Sequence, residues 1–336
     1  MNDKKGPRPR RSSFRRFLLG LSGFSAAGLI YAYNAQPDDL AGLTVVPAVA
    51  WLLPAVFSIL FFSGRNHKLF SLTVFSLWAL FAFTSVEEVQ SLLRRDSFPT
   101  GTWQAAHNEG RAIRVVSLNC NSGQPQCAAE VASLDPKPDI ILFQESPGEE
   151  DLKKLAAELY GEEGGVAWST DVSVVARGKV ESTHADPDSV FLHAKVQLPD
   201  GKQVEAISLR LMPPVIRYDF WSSGFWRENR AARRDRRRQV ESVVGYLSTV
   251  PSAAPLLVGG DLNCAAEDGS MLPLRARLND TFDPAGHGNC NTATNKYPLE
   301  RVDQLWINAA LQSEWLVARK TDYSDHRMVI CDLSIR

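Results

Sequence analysis

The sequence predicts a mixed α/β domain that follows three membrane-spanning helices, and two observations support this. Three long stretches without charged residues lie in the first 86 of the 336 residues. From about residue 111 onward, short apolar runs rich in β-branched residues alternate with segments of helical pattern. Such alternation is typical of mixed α/β domains. We therefore expect a basic amino terminus at 1–16, a membrane region at 17–86, a linker at 87–110 and a folded domain at 111–336.

The membrane region is predicted from residues 17–37, 40–64 and 69–86, which contain no Asp, Glu, Lys or Arg. Each stretch is close to the roughly 20 residues that a helix needs to cross the hydrocarbon core of a bilayer. Buried helices of a soluble protein would carry their apolar residues on one face instead. The prolines within the second stretch are tolerable in a membrane helix. Three transmembrane helices are therefore expected.

The orientation follows from basic residues near these stretches. Seven Lys and Arg residues lie in 1–16, Arg65 and Lys68 separate the second and third stretches, and the first loop carries only Asp38 and Asp39. Lys and Arg concentrate on the cytoplasmic side of membranes. This predicts a multi-pass protein of the cytoplasmic (inner) membrane with an extracytoplasmic domain. The Arg15-Arg16 pair also resembles a twin-arginine export signal, so cleavage after the first span stays open.

Within the domain, eight apolar runs have the length of a strand. They lie at 113–118, 139–143, 172–176, 190–196, 204–211, 255–258, 302–307 and 328–333. Helices are predicted at 150–160 and 228–247, the second because Val240, Val243 and Leu247 recur at the spacing of a buried stripe.

Polar residues that can bind a cation or a phosphate stand at the ends of several of these runs. Asn119 ends the first run, Gln144 and Glu145 follow the second, and Asp261 and Asn263 follow the sixth. The pattern recurs near the carboxyl terminus, with Asp303, Asp325 and His326. Any one of these residues at a strand end could simply meet water. Together they indicate a site.

In chain order these residues read Asn, Gln-Glu, Gly-Asp-Leu-Asn, Arg-Val-Asp and Ser-Asp-His, which resembles the endonuclease/exonuclease/phosphatase superfamily that includes DNase I. The resemblance covers residues 111–336. It implies an α/β fold, the DNase I-like four-layer sandwich of two mixed β-sheets flanked by helices, with the active site at one end. The preceding helices would make this chain a membrane-anchored bacterial member.

The resemblance also implies roles for the site residues. Glu145, with Asn119 beside it and Asp325 near it, would bind Mg²⁺ or Mn²⁺, since hard cations prefer oxygen ligands. Asp325 could alternatively support the histidine that follows it.

The remaining implied roles concern the reaction itself. Asp261 would orient or deprotonate the attacking water, and Asn263 would hydrogen-bond the phosphoryl oxygens. His326 would stabilise charge in the transition state, while Asp303 would fix its tautomer and raise its basicity.

Arg210 departs from the family pattern, because many relatives carry a histidine there. A guanidinium can bind phosphate through two parallel hydrogen bonds but cannot act as a general acid near neutral pH. Arg210 is therefore a candidate phosphate-binding residue, with a structural pairing to a carboxylate as the alternative.

The predicted function is that of a divalent-metal-dependent phosphoester hydrolase acting outside the membrane, on a substrate that could be lipid-linked. Membrane lipid is an expected partner, and the oligomeric state is not indicated. An extracytoplasmic nuclease and a non-catalytic phosphate-binding module are the alternatives. Seven arginines in 227–238 could suit nucleic acid. However, residues 87–336 hold 28 basic and 35 acidic groups, a net charge of −7, which does not favour nucleic acid.

Two further features stay open at this point. Arg233 and Arg236 continue the buried stripe of the second helix and could anchor to carboxylates or approach the substrate. An aromatic stretch before that helix could pack in the core or form a lid at lipid headgroups; it comprises Phe220, Trp221, Phe225 and Trp226.

The five cysteines contain no C-x-x-C pair, so a zinc cluster is not expected. An extracytoplasmic domain can form disulfides. Cys264 with Cys290 is the favoured pair, and Cys120 with Cys127 is the second candidate.

Overall fold

The computed structural model describes residues 11–62, 68–94, 101–188 and 190–336. Arg65 and the basic residues before Arg11 lie outside this range. The helices are α1 Arg11–Ala35, α2 Ala41–Thr44, α3 Leu52–Phe62, α4 Lys68–Ser85, α5 Glu87–Ser91, α6 Gly101–Asn108, α7 Pro125–Glu130, α8 Glu149–Tyr160, α9 Ser223–Leu247, α10 Leu272–Arg275 and α11 Phe282–Ala285. The strands are β1 Ala112–Asn119, β2 Ile140–Gln144, β3 Gly164–Trp168, β4 Val172–Arg177, β5 Lys179–Ala185, β6 Phe191–Gln197, β7 Gln203–Arg210, β8 Leu256–Asp261, β9 Asn279–Asp280, β10 Asp303–Ile307, β11 Leu311–Arg319 and β12 Met328–Ile335.

Among the described residues, two helices are long and apolar enough to cross a membrane, at Ser13–Ala35 and Lys68–Ser85. The second predicted span is not one straight helix. Its two parts, Asp38–Thr44 and Ala48–Phe61, meet at an angle of 75°, so a third span is obtained only if this bent pair counts as one. Pro47 lies at the break, where proline offers no backbone N–H to continue a helix.

The helices α1 and α4 run parallel. Gly20, in the first half of α1, lies against the ring of Phe70 near the amino end of α4. At their carboxyl ends, Asn34 Nδ2 donates to Ser85 Oγ at 3.2 Å. Both helices therefore deliver the chain to the same end of the apolar region.

The helix α3 runs in the opposite direction to α1. Trp51, just before α3, donates its Nε1–H to the hydroxyl of Tyr33 at 3.0 Å, close to the carboxyl end of α1. Further along, Ser58 Oγ lies 2.7 Å from Ser22 Oγ, in the first half of α1. The chain direction therefore alternates from α1 to α3 to α4.

The domain after residue 110 contains two six-stranded sheets, with the strand orders β11-β12-β1-β2-β4-β3 and β5-β6-β7-β8-β10-β9. Both sheets are mixed, because β1 and β2 pair in parallel, as do β7 and β8, while their other pairs are antiparallel. Apolar side chains of both sheets form one buried cluster between them. Two more clusters form where α9 covers the second sheet and where α7 and α8 cover the first. The expected pair of mixed sheets flanked by helices is confirmed.

Each of the eight predicted runs coincides with a strand and extends at most one residue beyond it, and both predicted helices are present. The structure also contains β3, β5, β9 and β11, which were not predicted. The helix α9 begins at Ser223, before the predicted start at 228, because the Ser222 hydroxyl accepts a hydrogen bond from Gly224 N at the helix start. The predicted linker contains α5 and α6.

The apolar helices contact the domain in two places among the described residues. In the first, Asp38, which follows α1, accepts hydrogen bonds from Arg237 at 2.7 Å and Arg234 at 3.1 Å of α9. In the second, Glu87 at the start of α5 pairs with buried Arg301 at 2.6 Å.

The arginines of α9 are paired with protein carboxylates to a large extent. Besides the contacts to Asp38, Arg230 pairs with Asp39 and the inward-facing Arg233 pairs with Asp268 at 2.9 Å. Of the two roles left open for Arg233, the structure supports anchoring. Arg236 donates to the Met212 carbonyl at 3.2 Å.

The predicted disulfides are absent, since all five cysteines are free thiols in the structure. Cys264 and Cys290 cannot pair because they are buried in different clusters, Cys264 between α9 and its sheet and Cys290 between the two sheets. Cys120 and Cys127 share one buried cluster under α7 and α8, but they also remain thiols.

Candidate active site

The predicted site residues meet at one edge of the two sheets because the strands that carry them end or begin there. The strand register places Asn119, the last residue of β1, beside Gln144, the last residue of β2. In the other sheet, Asp261 at the end of β8 lies between Arg210 of β7 and Asp303 of β10. The carboxyl ends of parallel strands share one sheet edge, so residues far apart in sequence converge here.

Asp261 is the central buried carboxylate of this edge. Asn119 Nδ2 donates to Asp261 Oδ2 at 3.1 Å, and so does Asn263 Nδ2 at the same distance. The Asn263 backbone N–H donates to Asp261 Oδ1 at 3.0 Å, and this residue adopts a left-handed backbone with φ +53°. Asparagine tolerates that conformation better than most residues. Burial, assisted by the charge of Asp303, raises the pKa of Asp261 to about 7.

Glu145 is the second carboxylate and lies beside Asn119, whose Nδ2 is 3.2 Å from Glu145 Oε1. Its other oxygen accepts the Ser122 backbone N–H at 2.5 Å. Burial would raise the pKa of Glu145, but the hydrogen bonds from Asn119 and Ser122 and the charge of Arg210 outweigh it and lower the pKa. Glu145 is therefore an anion at neutral pH. It also has a positive φ of 44°, a strained conformation for a non-glycine residue.

His326 and Asp303 form a hydrogen-bonded pair, with 2.8 Å between His326 Nδ1 and Asp303 Oδ2. Burial alone would lower the pKa of the imidazole. The negative charges of Asp303, Asp261 and Asp325 outweigh that effect and raise the pKa to about 10. His326 is therefore a cation at neutral pH, and its Nε2 remains available for a substrate oxygen.

Arg210 joins the acidic groups of the site. Its Nη2 is 2.7 Å from Glu145 Oε1, its Nη1 is 3.2 Å from Asp171 Oδ2, and its Nε is 3.9 Å from Asp261 Oδ2. The side chain is 28% exposed. The guanidinium thus pairs with carboxylates, as the structural alternative expected. Two of them are the predicted metal ligand Glu145 and the predicted catalytic Asp261, and the Arg210 side chain remains partly exposed to solvent.

The residues fit a hard divalent cation. One oxygen each from Asp261 and Asp303 lies within 4.8 Å of the other and of a nitrogen of His326. The carboxylate oxygens are the candidate ligands, since a protonated imidazole cannot bind a metal ion. The buried Asp303 Oδ1 has no hydrogen-bond partner among the described residues, so a ligand atom is left over. With Glu145 beside this group, the oxygen-rich set suits Mg²⁺ or Mn²⁺ better than a soft metal.

Asp325 lies apart from this group, with an exposed side chain next to His326. Its charge contributes to the high pKa of His326. Its role as a metal ligand stays a prediction, as does the assignment of the other site residues.

Two contributors were missed in the sequence. Asp171 pairs with Arg210. It is brought to the site because its backbone carbonyl accepts a hydrogen bond at 3.1 Å from the N–H of Ser146, the residue directly after Glu145. The buried Gln144 was noted only as part of a motif. Its Nε2 donates to Ser208 Oγ at 3.1 Å and so ties the two sheets together beneath the site. Asp171 lies in a short polar loop directly before the apolar run at 172–176. It belongs to none of the five motifs, so its position before a strand did not single it out.

A family model decides the relationship of this chain. The model of the endonuclease/exonuclease/phosphatase family matches residues 116–326. The chain belongs to this family. Family members are typically hydrolases that act on phosphoester bonds. The five motifs that suggested the resemblance all fall at the ends of the matched region or inside it.

Solved structures confirm the fold. A family member from Beutenbergia cavernae covers 67% of this chain and 72% of its own chain, with 16% identity and a TM-score of 0.50. A member from Bacteroides vulgatus covers 67% and 99%, with 16% identity and a TM-score of 0.52. Humanized D. rerio TDP2 covers 67% and 99%, with 16% identity and a TM-score of 0.50. No curated protein matches the sequence.

Proposed function

We propose that this chain is a membrane-anchored, divalent-metal-dependent phosphoester hydrolase that acts outside the cytoplasmic membrane. The observation that carries the catalytic part is the convergence of Asp261, Asp303 and His326 with Glu145 at one sheet edge. A bound Mg²⁺ or Mn²⁺ would be held by Glu145 with Asn119, and it would supply neutralisation of negative charge on the phosphoryl oxygens.

The side chains of the site have different roles in the proposed reaction. Asp261 accepts hydrogen bonds at both carboxylate oxygens, and its pKa of about 7 suits a group that orients water and takes its proton near neutral pH. His326, held by Asp303, presents a positive charge to the phosphoryl oxygens as negative charge develops on them. Arg210, whose side chain is partly exposed, supplies a second positive charge.

Membrane attachment is supported by the arrangement of the apolar helices. If the parallel helices α1 and α4 both cross a bilayer, the chain must return between them. The bent pair is the described segment that could do so. The helix α3 alone rises only about 16 Å, against a hydrocarbon core of about 30 Å, so the return would need the turn before it as well. Three crossings, as the sequence predicts, would place the domain opposite the basic amino terminus.

The two alternatives are less well supported. A nuclease would need free basic groups, whereas the arginines Arg230, Arg233 and Arg237 of α9 are engaged by carboxylates. A non-catalytic phosphate-binding module has no need for the strained Glu145 backbone or for the Asp303–His326 pair.

Hydrolysis assays test the catalytic proposal on the full-length protein in detergent. Phosphomonoesters, phosphodiesters and DNA are offered with Mg²⁺, Mn²⁺ or EDTA. We expect metal-dependent hydrolysis of a phosphoester, and a loss of about a thousandfold in Glu145→Gln and His326→Gln. The matched control is Glu158→Gln, an exposed residue of α8. Full activity in EDTA would refute the metal requirement.

Reporter fusions test the membrane proposal. An alkaline phosphatase that is active only after export should be active when fused after Gly101 and inactive when fused after Lys68. The reverse result would reverse the topology.

A further inference from the structure

The connection between β7 and α9 exposes an unusual number of apolar side chains. The exposed fraction of the residue is 73% for Ile216, 78% for Tyr218 and 86% for Trp221, while Met212 and Phe220 are exposed by 41% and 47%. Single exposed apolar residues are ordinary, but a cluster of this kind marks an interaction surface. We call residues 212–221 the apolar loop.

The apolar loop is held in this conformation by its own polar groups. Arg217 pairs with Asp219 and with Glu228 of α9, so its charge is matched within the protein. The Ser222 N–H donates to the Asp219 carbonyl at 2.8 Å. With the charged groups engaged, the loop presents mainly apolar and aromatic surface to its surroundings.

This surface continues into the membrane region. Gly42 of α2 lies against the rings of Phe225 and Trp226 in the first turns of α9. The Phe220 ring packs on Phe225 with 5.0 Å between ring centroids, and Trp226 Nε1 donates to the Phe220 carbonyl at 2.9 Å. Aromatic contacts therefore lead from α2 to Phe220, the residue directly before Trp221, which is the most exposed residue of the loop.

The level of the loop relative to a bilayer follows from the helix ends. Tyr33 and Trp51 are hydrogen-bonded to each other near the carboxyl end of α1. Tyr and Trp are enriched where membrane helices meet the headgroups. The chain from Ala35 to Gly42 then passes directly to the contact with α9, so the apolar loop lies close to that same boundary.

The surface also continues into the active site. Leu211 connects Arg210 to the loop, and its carbonyl accepts a hydrogen bond from Asn263 Nδ2 at 2.9 Å. A small cavity of about 30 Å³ is lined by Asn263, by Pro214 of the loop and by Ala41 of α2. The predicted phosphate-binding asparagine and the membrane region thus border one space.

We propose that the apolar loop inserts into the bilayer that holds the helices, and that the substrate is a phosphoester of a membrane lipid whose apolar chains stay in that bilayer. The proposal rests on the proposed hydrolase function and adds its substrate class. A substrate in this position presents its phosphate at the boundary where Asn263 and Arg210 lie, and it need not leave the membrane to be hydrolysed.

Insertion is measured with a fluorescent label on the full-length protein in phosphatidylcholine vesicles. All five cysteines are buried, so an environment-sensitive thiol dye reports a cysteine introduced by Trp221→Cys. The matched control is Ser252→Cys, an exposed position after α9. We expect the dye at position 221 to show blue-shifted emission that bromolipids quench. The dye at position 252 should show the emission it has in water. An aqueous dye at both positions would overturn the proposal.

Substrate class is measured by comparing two phosphoesters with the same headgroup, one long-chain in vesicles and one short-chain in solution. In Tyr218→Ser/Trp221→Ser, the ratio of kcat/KM for the vesicle substrate to that for the soluble one should fall by about tenfold or more. An unchanged ratio overturns the proposal. If wild-type protein hydrolyses neither substrate, the hydrolase function itself fails, and the dye at 221 still decides whether the loop inserts.

Discussion

Arg210 offers the sharpest test of how the site balances its charges. Its guanidinium is the only cation that the structure shows in hydrogen-bonding contact with both Glu145 and Asp171, among the residues described. Arg210→Ala leaves these carboxylates and Asp261 facing one another without it. Removing one partner of a buried ion pair costs about 3–5 kcal/mol. Because Arg210 is 28% exposed and solvent screens its interactions, we expect about 2 kcal/mol.

That free energy corresponds to a decrease in melting temperature of about 4–8 °C for a domain of this size, measured in EDTA. Added Mg²⁺ should raise the Tm of Arg210→Ala more than that of wild type, because a divalent cation can replace the missing positive charge among the carboxylates. Arg210→Lys keeps the charge and should keep most of the stability, yet it loses the planar fork and should lose activity.

The assay is a thermal shift with and without Mg²⁺ together with kcat/KM on the same preparations. Equal Mg²⁺ shifts in wild type and Arg210→Ala would refute the charge balance described here. Unchanged activity in Arg210→Lys would show that the guanidinium does not bind the phosphate.

Two further outcomes follow from the pKa shifts. In Asp303→Asn the pKa of His326 should fall well below its raised value of about 10. The loss of activity at alkaline pH should therefore begin at a lower pH than in wild type, and a pH–rate profile measures this. Burial, with the charge of Asp268, raises the pKa of Glu300 to about 7. The folded protein therefore keeps this proton up to a higher pH than the unfolded chain does. The wild type loses the corresponding stability as pH rises from about 4.5 to 7. Glu300→Gln should therefore equal wild type in stability at pH 4 and exceed it by about 3 kcal/mol at pH 8. A Tm difference at pH 4 alone would contradict this.

The core strands could be predicted because they are buried on both faces. Every residue of β1 and β8 is buried, and such strands appear in the sequence as continuous apolar runs. Strand β5 could not be predicted in this way. It forms the edge of its sheet, most of its residues are exposed, and its sequence Lys-Val-Glu-Ser-Thr-His-Ala lacks an apolar run. Only the pairing with β6 makes it a strand.

The site residues also differ in how well the sequence predicts them. Glu145 and Asp261 directly follow or end buried strands, so the sequence itself marks where they stand. Asp171 precedes a strand and belongs to none of the motifs, and the tertiary pairing of β2 with β4 brings it to Arg210. The bend at Pro47 was also missed, because composition reports whether a segment is apolar and says little about its direction.

The two groups of contacts that join the apolar helices to the domain restrict how the domain can turn. A domain on one flexible linker rotates freely and meets a surface in many orientations. Here Asp38 holds α9 from one side and Glu87 holds Arg301 from the other, so rotation about either connection alone is blocked. A domain on a flexible linker loses rotational freedom each time it meets a substrate. Here the domain has already lost that freedom when the chain folds. If α1 and α4 cross a membrane as proposed, His326 can meet only a phosphate that lies near the carboxyl ends of these two helices.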